Sequence, residues 1–241
     1  MADLGIDVTK IKTDLVQFFK QRKPDFSTFG NTVNQVFEAF VFASVVKWYQ
    51  NNGWTVEFVH PTAALKKAGN NPPEIRLKFS TRGRPENYTY AKCEKAGLTV
   101  QIRHQIRVST ARHRNNQRYP ANICLDVAVI RDIDLTYFDS NAAVPNSFLV
   151  TFGEAKHMSA FAELMAGFIG MVYELQPNRL KRTRIGEWSM GENPSPFLYV
   201  SGFLYRTALG IQETVRFRKF DIDVYTRTDA LAEGLDLPPR V

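Results

Sequence analysis

Residues 123–130, ICLDVAVI, constrain this chain more than any other stretch. The run is apolar without the alternation of a half-solvated strand, so it reads as a strand covered on both faces, at the centre of a sheet. It carries one charge, Asp126. An ionised carboxylate in such a strand is costly unless it is paired, hydrogen-bonded or bound to a metal. Whatever fold the chain adopts must build a polar environment around Asp126.

The surrounding pattern supplies layers to cover that strand. Ile11, Leu15, Phe18 and Phe19 recur at helical spacing within 8–20. A longer helix is expected from 31 or 32 onward, with Val33, Val36, Phe37, Phe40, Val41, Val45 and Trp48 largely on one face. Asn51-Asn52-Gly53 ends it, and 54–60 reads as a strand. Residues 61–74 read as a loop, followed by strand-like runs at 75–80, 88–93 and 98–108. The last alternates, with Val100, Ile102, His104, Ile106 and Val108 on one face and Gln101, Arg103, Gln105 and Arg107 on the other. A polar basic segment (109–122) leads into the central strand, and a loop (132–146) leaves it. A strand at 148–154, a helix at 159–175 stopped by Pro177, and strands at 197–203 and 216–225 complete the reading, with a loosely ordered tail from 226. The expectation is an α/β chain with a central mixed sheet flanked by helices. A length of 241 residues without an evident linker fits a single domain over 1–241, its core at about 31–176 and its C-terminal strands reaching about 225.

The apolar strand after the central one ends in Glu154-Ala155-Lys156, immediately before a helix. Glu154 and Lys156 are two apart and share a face on a strand. They stand where a buried strand emerges, the position at which open α/β sheets bind ligands. Asp126 precedes Glu154 with 27 residues between them. An aspartate in an apolar strand, a loop, an apolar strand ending in E-x-K and then a helix resemble the PD-(D/E)XK nuclease superfamily, over roughly residues 31–176. The helix, the Gly53-Trp54 pair and the following strand strengthen the likeness. Leu125 stands where many members have proline; that position varies among them. The superfamily often carries a glutamate on the helix before the sheet, and Glu38 occupies that place.

The resemblance implies a restriction-endonuclease-like fold and an Mg²⁺-dependent endonuclease, a phosphodiester hydrolase of restriction or defence type acting on DNA. Such chemistry needs neutralisation of phosphate charge and an activated water, and Mg²⁺, with Mn²⁺ as substitute, prefers oxygen ligands. Asp126 and Glu154 are the expected metal ligands, with Glu38 completing the shell directly or through water. Lys156 is expected to orient or deprotonate the attacking water or to stabilise the phosphate. The alternative is a catalytically inactive nucleic-acid-binding module on the same fold. A third possibility makes the acidic pair purely structural, marked by an Asp126–Lys156 ion pair without a cleft.

Charge points the same way. Lys and Arg number 31 against 24 Asp and Glu, a formal +7, which attracts polyanions. Arg107, Arg112, His113, Arg114 and Arg118 lie just before the central strand and are candidate phosphate contacts; Arg182, in a basic loop with Arg179, Lys181 and Arg184, is another. Double-stranded DNA is the expected partner, and two-strand cutting suggests a homodimer. Cys93 and Cys124 exclude a disulfide framework, and His104 and His113 have no cysteine partners for zinc. Neither a Walker-type loop nor a G-x-S-x-G elbow is present. With no leader-like or membrane-spanning run, the expected location is cytoplasmic.

Overall fold

The computed structural model describes residues 8–18, 33–69, 71, 73–113, 118–135, 143–181 and 193–227. Its elements follow in the order α1 (Val8–Phe18), α2 (Val33–Asn51), β1 (Thr55–Val59), α3 (Thr62–Ala68), β2 (Tyr90–Lys95), β3 (Leu98–Ser109), β4 (Asn122–Arg131), β5 (Leu149–Lys156), α4 (Ala162–Leu175), β6 (Phe197–Val200), α5 (Arg206–Phe217) and β7 (Asp223–Thr226). The strands form a seven-stranded mixed sheet in the order β1-β2-β3-β4-β5-β6-β7. Pairing is antiparallel from β1 to β5 and parallel from β5 through β7. The parallel pairs need crossovers, which α4 and α5 supply. Among the described residues, no helix is long and apolar enough to cross a membrane.

The run around Asp126 becomes β4, the fourth of seven strands, as its composition requires. One face of the sheet packs under α2, whose Phe37, Val41, Val45 and Tyr49 meet Val100, Ile102, Val127, Val129 and Tyr199. The other packs under α4 and α5, where Met165, Phe168, Val172, Ala208 and Val215 meet Ala128, Ile130, Phe152 and Leu198. α2 is buried around most of its circumference, so it serves as a core element rather than a surface helix.

The alternation expected along β3 breaks in the middle. Val100 and Ile102 join the α2 core, whereas Ile106 and Val108 join the opposite one. Leu125 and Val127 on β4 divide in the same way. The cause is Gln105, whose φ of 52° lies in the left-handed region and turns the pleat over. Beyond it the β3–β4 ribbon swings to the end of α4. Ala111 N–H donates to the Glu174 carbonyl at 2.7 Å, and Asn146 Nδ2 donates to the carbonyls of Ser109 (3.1 Å) and Leu175 (2.9 Å).

Four other expectations change. Part of the 61–74 loop is the helix α3, because Pro61 opens it, Ala63, Ala64, Leu65 and Lys66 favour helix, and Gly69 at φ 56° stops it. Residues 75–80 form no ladder strand; Arg76 is tied instead to Thr89, through Thr89 N–H to Arg76 O (2.8 Å) and Arg76 N–H to Thr89 Oγ1 (3.0 Å). Residues 206–217 form α5, so the strand expected at 216–225 shrinks to Asp223–Thr226, and that at 197–203 to Phe197–Val200. α5 buries Ala208 and Val215 and packs Ile211 against the same core, a helical spacing that the strand reading of 216–225 passes over. The tail beyond 227 lies outside the described residues.

Glycine is required at position 153. It pairs with Phe197 across β5 and β6, and a Cβ there would fall well inside contact distance of the Phe197 ring. Gly153→Ala is expected to lower stability by about 1–3 kcal/mol. Adding Phe197→Leu should recover part of the loss, both measured by urea unfolding.

Candidate active site

The register of the sheet assembles the site. Pairs His104–Val127 and Ile106–Leu125 bracket Gln105 opposite Asp126. On the other side Val127 pairs with Gly153, so one step further sets Asp126 opposite Glu154. Gln105, Asp126 and Glu154 therefore form a row across three adjacent strands, with Lys156 two residues further along β5. The β4–β5 ladder stops at this row. The Asp126 carboxylate takes over from the backbone, its Oδ2 accepting the Ala155 N–H at 3.0 Å.

Lys156 joins the two carboxylates. Its Nζ lies 3.0 Å from Asp126 Oδ2 and 2.8 Å from Glu154 Oε2. The Asp126 and Glu154 side chains are 10% and 6% exposed, while that of Lys156 is 38% exposed, so the lysine closes the site toward water. Asp126 Oδ1 accepts from Gln105 Nε2 at 2.9 Å. Glu154 Oε1 is buried and meets no protein donor, while the Glu154 and Asp126 carboxyls are close enough to share a proton.

Electrostatics follow from this packing. Burial, and then the Asp126 charge, push the Glu154 carboxyl up to about 8 against the pull of Lys156. Burial works against the Lys156 ammonium, yet Glu154 and Asp126 hold it above the ordinary lysine range. A structural ion pair needs one carboxylate. A second one, buried beside the first and without a protein donor at Oε1, costs stability, as groups placed for chemistry do.

Glu38, on α2, reaches the row through an intermediary. Its Oε2 accepts from Gln105 Nε2 at 3.2 Å and lies 3.3 Å from His104 Nε2, and Gln105 carries the link to Asp126. Behind it, His104 Nδ1 donates to the Lys78 carbonyl, and Lys78 Nζ donates to the Gln105 carbonyl at 2.7 Å. Burial lowers the Lys78 ammonium. This tether fixes Gln105 in its left-handed conformation, which costs about 1–3 kcal/mol and persists because the surroundings impose it. Nothing in the sequence joins Gln105, Lys78 and His104, because Lys78 stands far from the other two and a regular strand would set His104 and Gln105 on opposite faces. The antiparallel register, once known, is the signal that sets Gln105 beside Asp126.

Of the basic candidates within the described residues, Arg107 stays near the row and the others lie away from it. Arg107 is half-buried and donates to Asn122 Oδ1 at 3.0 Å; it is near enough to act on the Lys78 and Cys124 charges. Arg112 is exposed, its guanidinium 5.4 Å from the Tyr173 ring centroid, so it sits against the last turns of α4, not over the carboxylates. His113 is half-buried nearby, its N–H bonded to the Thr110 carbonyl at 3.0 Å. Arg118 is exposed over Tyr119. The bend at Gln105 carries this segment toward the end of α4, whereas it was expected at the mouth of the carboxylate cleft. Arg179, from the second basic loop, is committed to Asp221. Arg114 and Arg182 lie outside the described residues.

Among the described residues, no three His, Cys, Asp or Glu side chains converge to hold a metal ion. Asp126 and Glu154 are nevertheless a hard-oxygen pair, and Oε1, which meets no protein donor, fits a cation whose remaining ligands are water.

Raising a carboxyl in the folded state makes its proton a stabilising ligand. That stability is fully present below 4.5 and is lost as pH rises through about 8. In the absence of divalent metal, Glu154→Gln should therefore gain stability relative to wild type as pH goes from 5 to 9. Urea unfolding across that range checks this; parallel pH profiles would contradict it.

No family model matches the chain, and no curated protein matches it.

Proposed function

We propose that the chain is a metal-dependent nuclease on a restriction-endonuclease-like fold, hydrolysing phosphodiester bonds of DNA. The observation that carries this is the row itself. Two buried carboxyl groups on adjacent central strands, one with an oxygen that meets no protein donor, are bridged by an ammonium at the end of a covered sheet's middle strands.

Asp126 and Glu154 would hold Mg²⁺ or Mn²⁺, and the ion would supply charge neutralisation at the phosphate and a more acidic water. Lys156, the most exposed of the three, contacts solvent and both carboxylates, so it is placed to orient the attacking water or to meet charge growing on the phosphate. Gln105 keeps Asp126 from rotating, since it and the Ala155 N–H each hold one carboxylate oxygen. Glu38, steered by His104 and Gln105, stands one hydrogen bond further back. The +7 charge favours a polyanionic substrate.

A purely structural role for the pair draws on the 3.0 Å Lys156–Asp126 contact. It leaves the burial of Glu154 unexplained.

Incubation with supercoiled plasmid separates these alternatives. Wild type is expected to nick or linearise the plasmid with Mg²⁺ or Mn²⁺ and not with EDTA. Asp126→Ala, still folded, should be inactive; equal cleavage by this variant would overturn the assignment. Lys156→Met should lose at least about 100-fold in rate, the scale of removing one transition-state donor, while remaining folded.

A further inference from the structure

Where β5 and β6 end, two short segments carry the chain into α4 and α5. They are stitched together beside Lys156. Ser201 N–H donates to the Lys156 carbonyl at 3.0 Å and Gly202 N–H to the Met158 carbonyl at 3.1 Å. Ala160 N–H donates to the Phe203 carbonyl and Tyr205 N–H to the Ala160 carbonyl, both at 2.9 Å. A Cβ on Gly202 would overlap the Ser159 backbone, so the two segments are pressed together without slack.

Out of this fixed frame stand two aromatic rings. Phe203 and Tyr205 are 52% and 50% exposed, with centroids 4.8 Å apart and planes at 70°. Met158 and Phe161, on the neighbouring segment, are also exposed. Grouped apolar side chains held rigidly in water mark a contact surface. Three features favour a nucleobase as the occupant. Arg206, adjoining Tyr205, is exposed and cationic. The chain as a whole carries +7. The frame is hydrogen-bonded to the backbone carbonyl of Lys156, the residue proposed to act on the attacking water or the phosphate.

Bases within a duplex hide their faces in the stack, whereas unpaired bases offer them to aromatic side chains. We propose that Phe203 and Tyr205 form a stacking platform for unpaired nucleobases beside the cleavage site, so that the substrate presents a single-stranded, frayed or branched segment there. The position of the scissile phosphate rests on the nuclease proposal; base stacking can be measured without cleavage.

The test is fluorescence anisotropy in EDTA with a short labelled oligothymidylate and an abasic oligomer carrying the same number of phosphates. Wild type should bind the oligothymidylate about tenfold tighter or more, the scale of base–aromatic stacking. Phe203→Leu/Tyr205→Leu should bind the two oligomers equally, with unchanged affinity for the abasic one and an unchanged melting temperature. Either single variant, expected to be intermediate, replaces the double if the double fails to fold. Equal binding of both oligomers by wild type, or a preference retained in the variant, would overturn the platform. So would a wild-type dimer that the variant converts to monomer without any base preference, since the patch would then be a self-contact. Base preference without cleavage would overturn the nuclease and keep the platform; cleavage without base preference would do the reverse.

Discussion

The rest of the site depends on one arrangement, in which two carboxylates on adjacent strands lie within reach of a single ammonium inside a sheet covered on both faces. Neither Asp126 nor Glu154 can turn to solvent, and only Lys156 bridges the interior and the water. Each departure from regular geometry nearby serves this contact. The β4–β5 ladder ends where the Asp126 carboxylate substitutes for a backbone acceptor. The β3–β4 ribbon turns over at Gln105, whose side chain then holds Asp126. Lys78 and His104, both buried, hold Gln105 and Glu38 from behind.

The bend has a second consequence. It delivers Ile106, Val108 and Leu125 to the α4 face while Val100, Ile102 and Val127 stay under α2. A single ribbon thus contributes to both cores, and the polar row sits at the level where the ribbon changes sides. The site is placed by a backbone transition rather than by a loop, which gives its side chains little freedom.

Much of this was legible in the sequence, and the limits have physical reasons. Asp126 stood out because charge inside an apolar strand must be accounted for, and the E-x-K spacing set Glu154 and Lys156 on one face of the next strand. The strands from 98 to 156 were found because apolar runs and alternation mark them. The sequence around Gln105 reads as a plain alternating strand, since nothing in QIRHQIRV announces a left-handed residue. That one dihedral relocated Arg112 and its neighbours, which sequence proximity to Asp126 had set at the cleft. α3 and α5 elude the sequence reading for different reasons: α3 buries no side chain, whereas α5 has Ala208, Ile211 and Val215 at helical spacing but runs into a strand-like stretch that competes with it. Glu38 came from resemblance alone, and the structure brings it to the row through Gln105 rather than directly.

The central claim is that Asp126 and Glu154 are held together for a divalent cation rather than for the lysine alone. Mn²⁺ titration of the intact chain, followed by electron paramagnetic resonance, tests it without requiring a substrate. Wild type should bind one ion, and Asp126→Asn, which keeps the shape of the side chain and removes its charge, should bind it at least about tenfold more weakly, the lower range for loss of a metal-site contact. Equal binding by the two proteins, or none by either, would contradict the account.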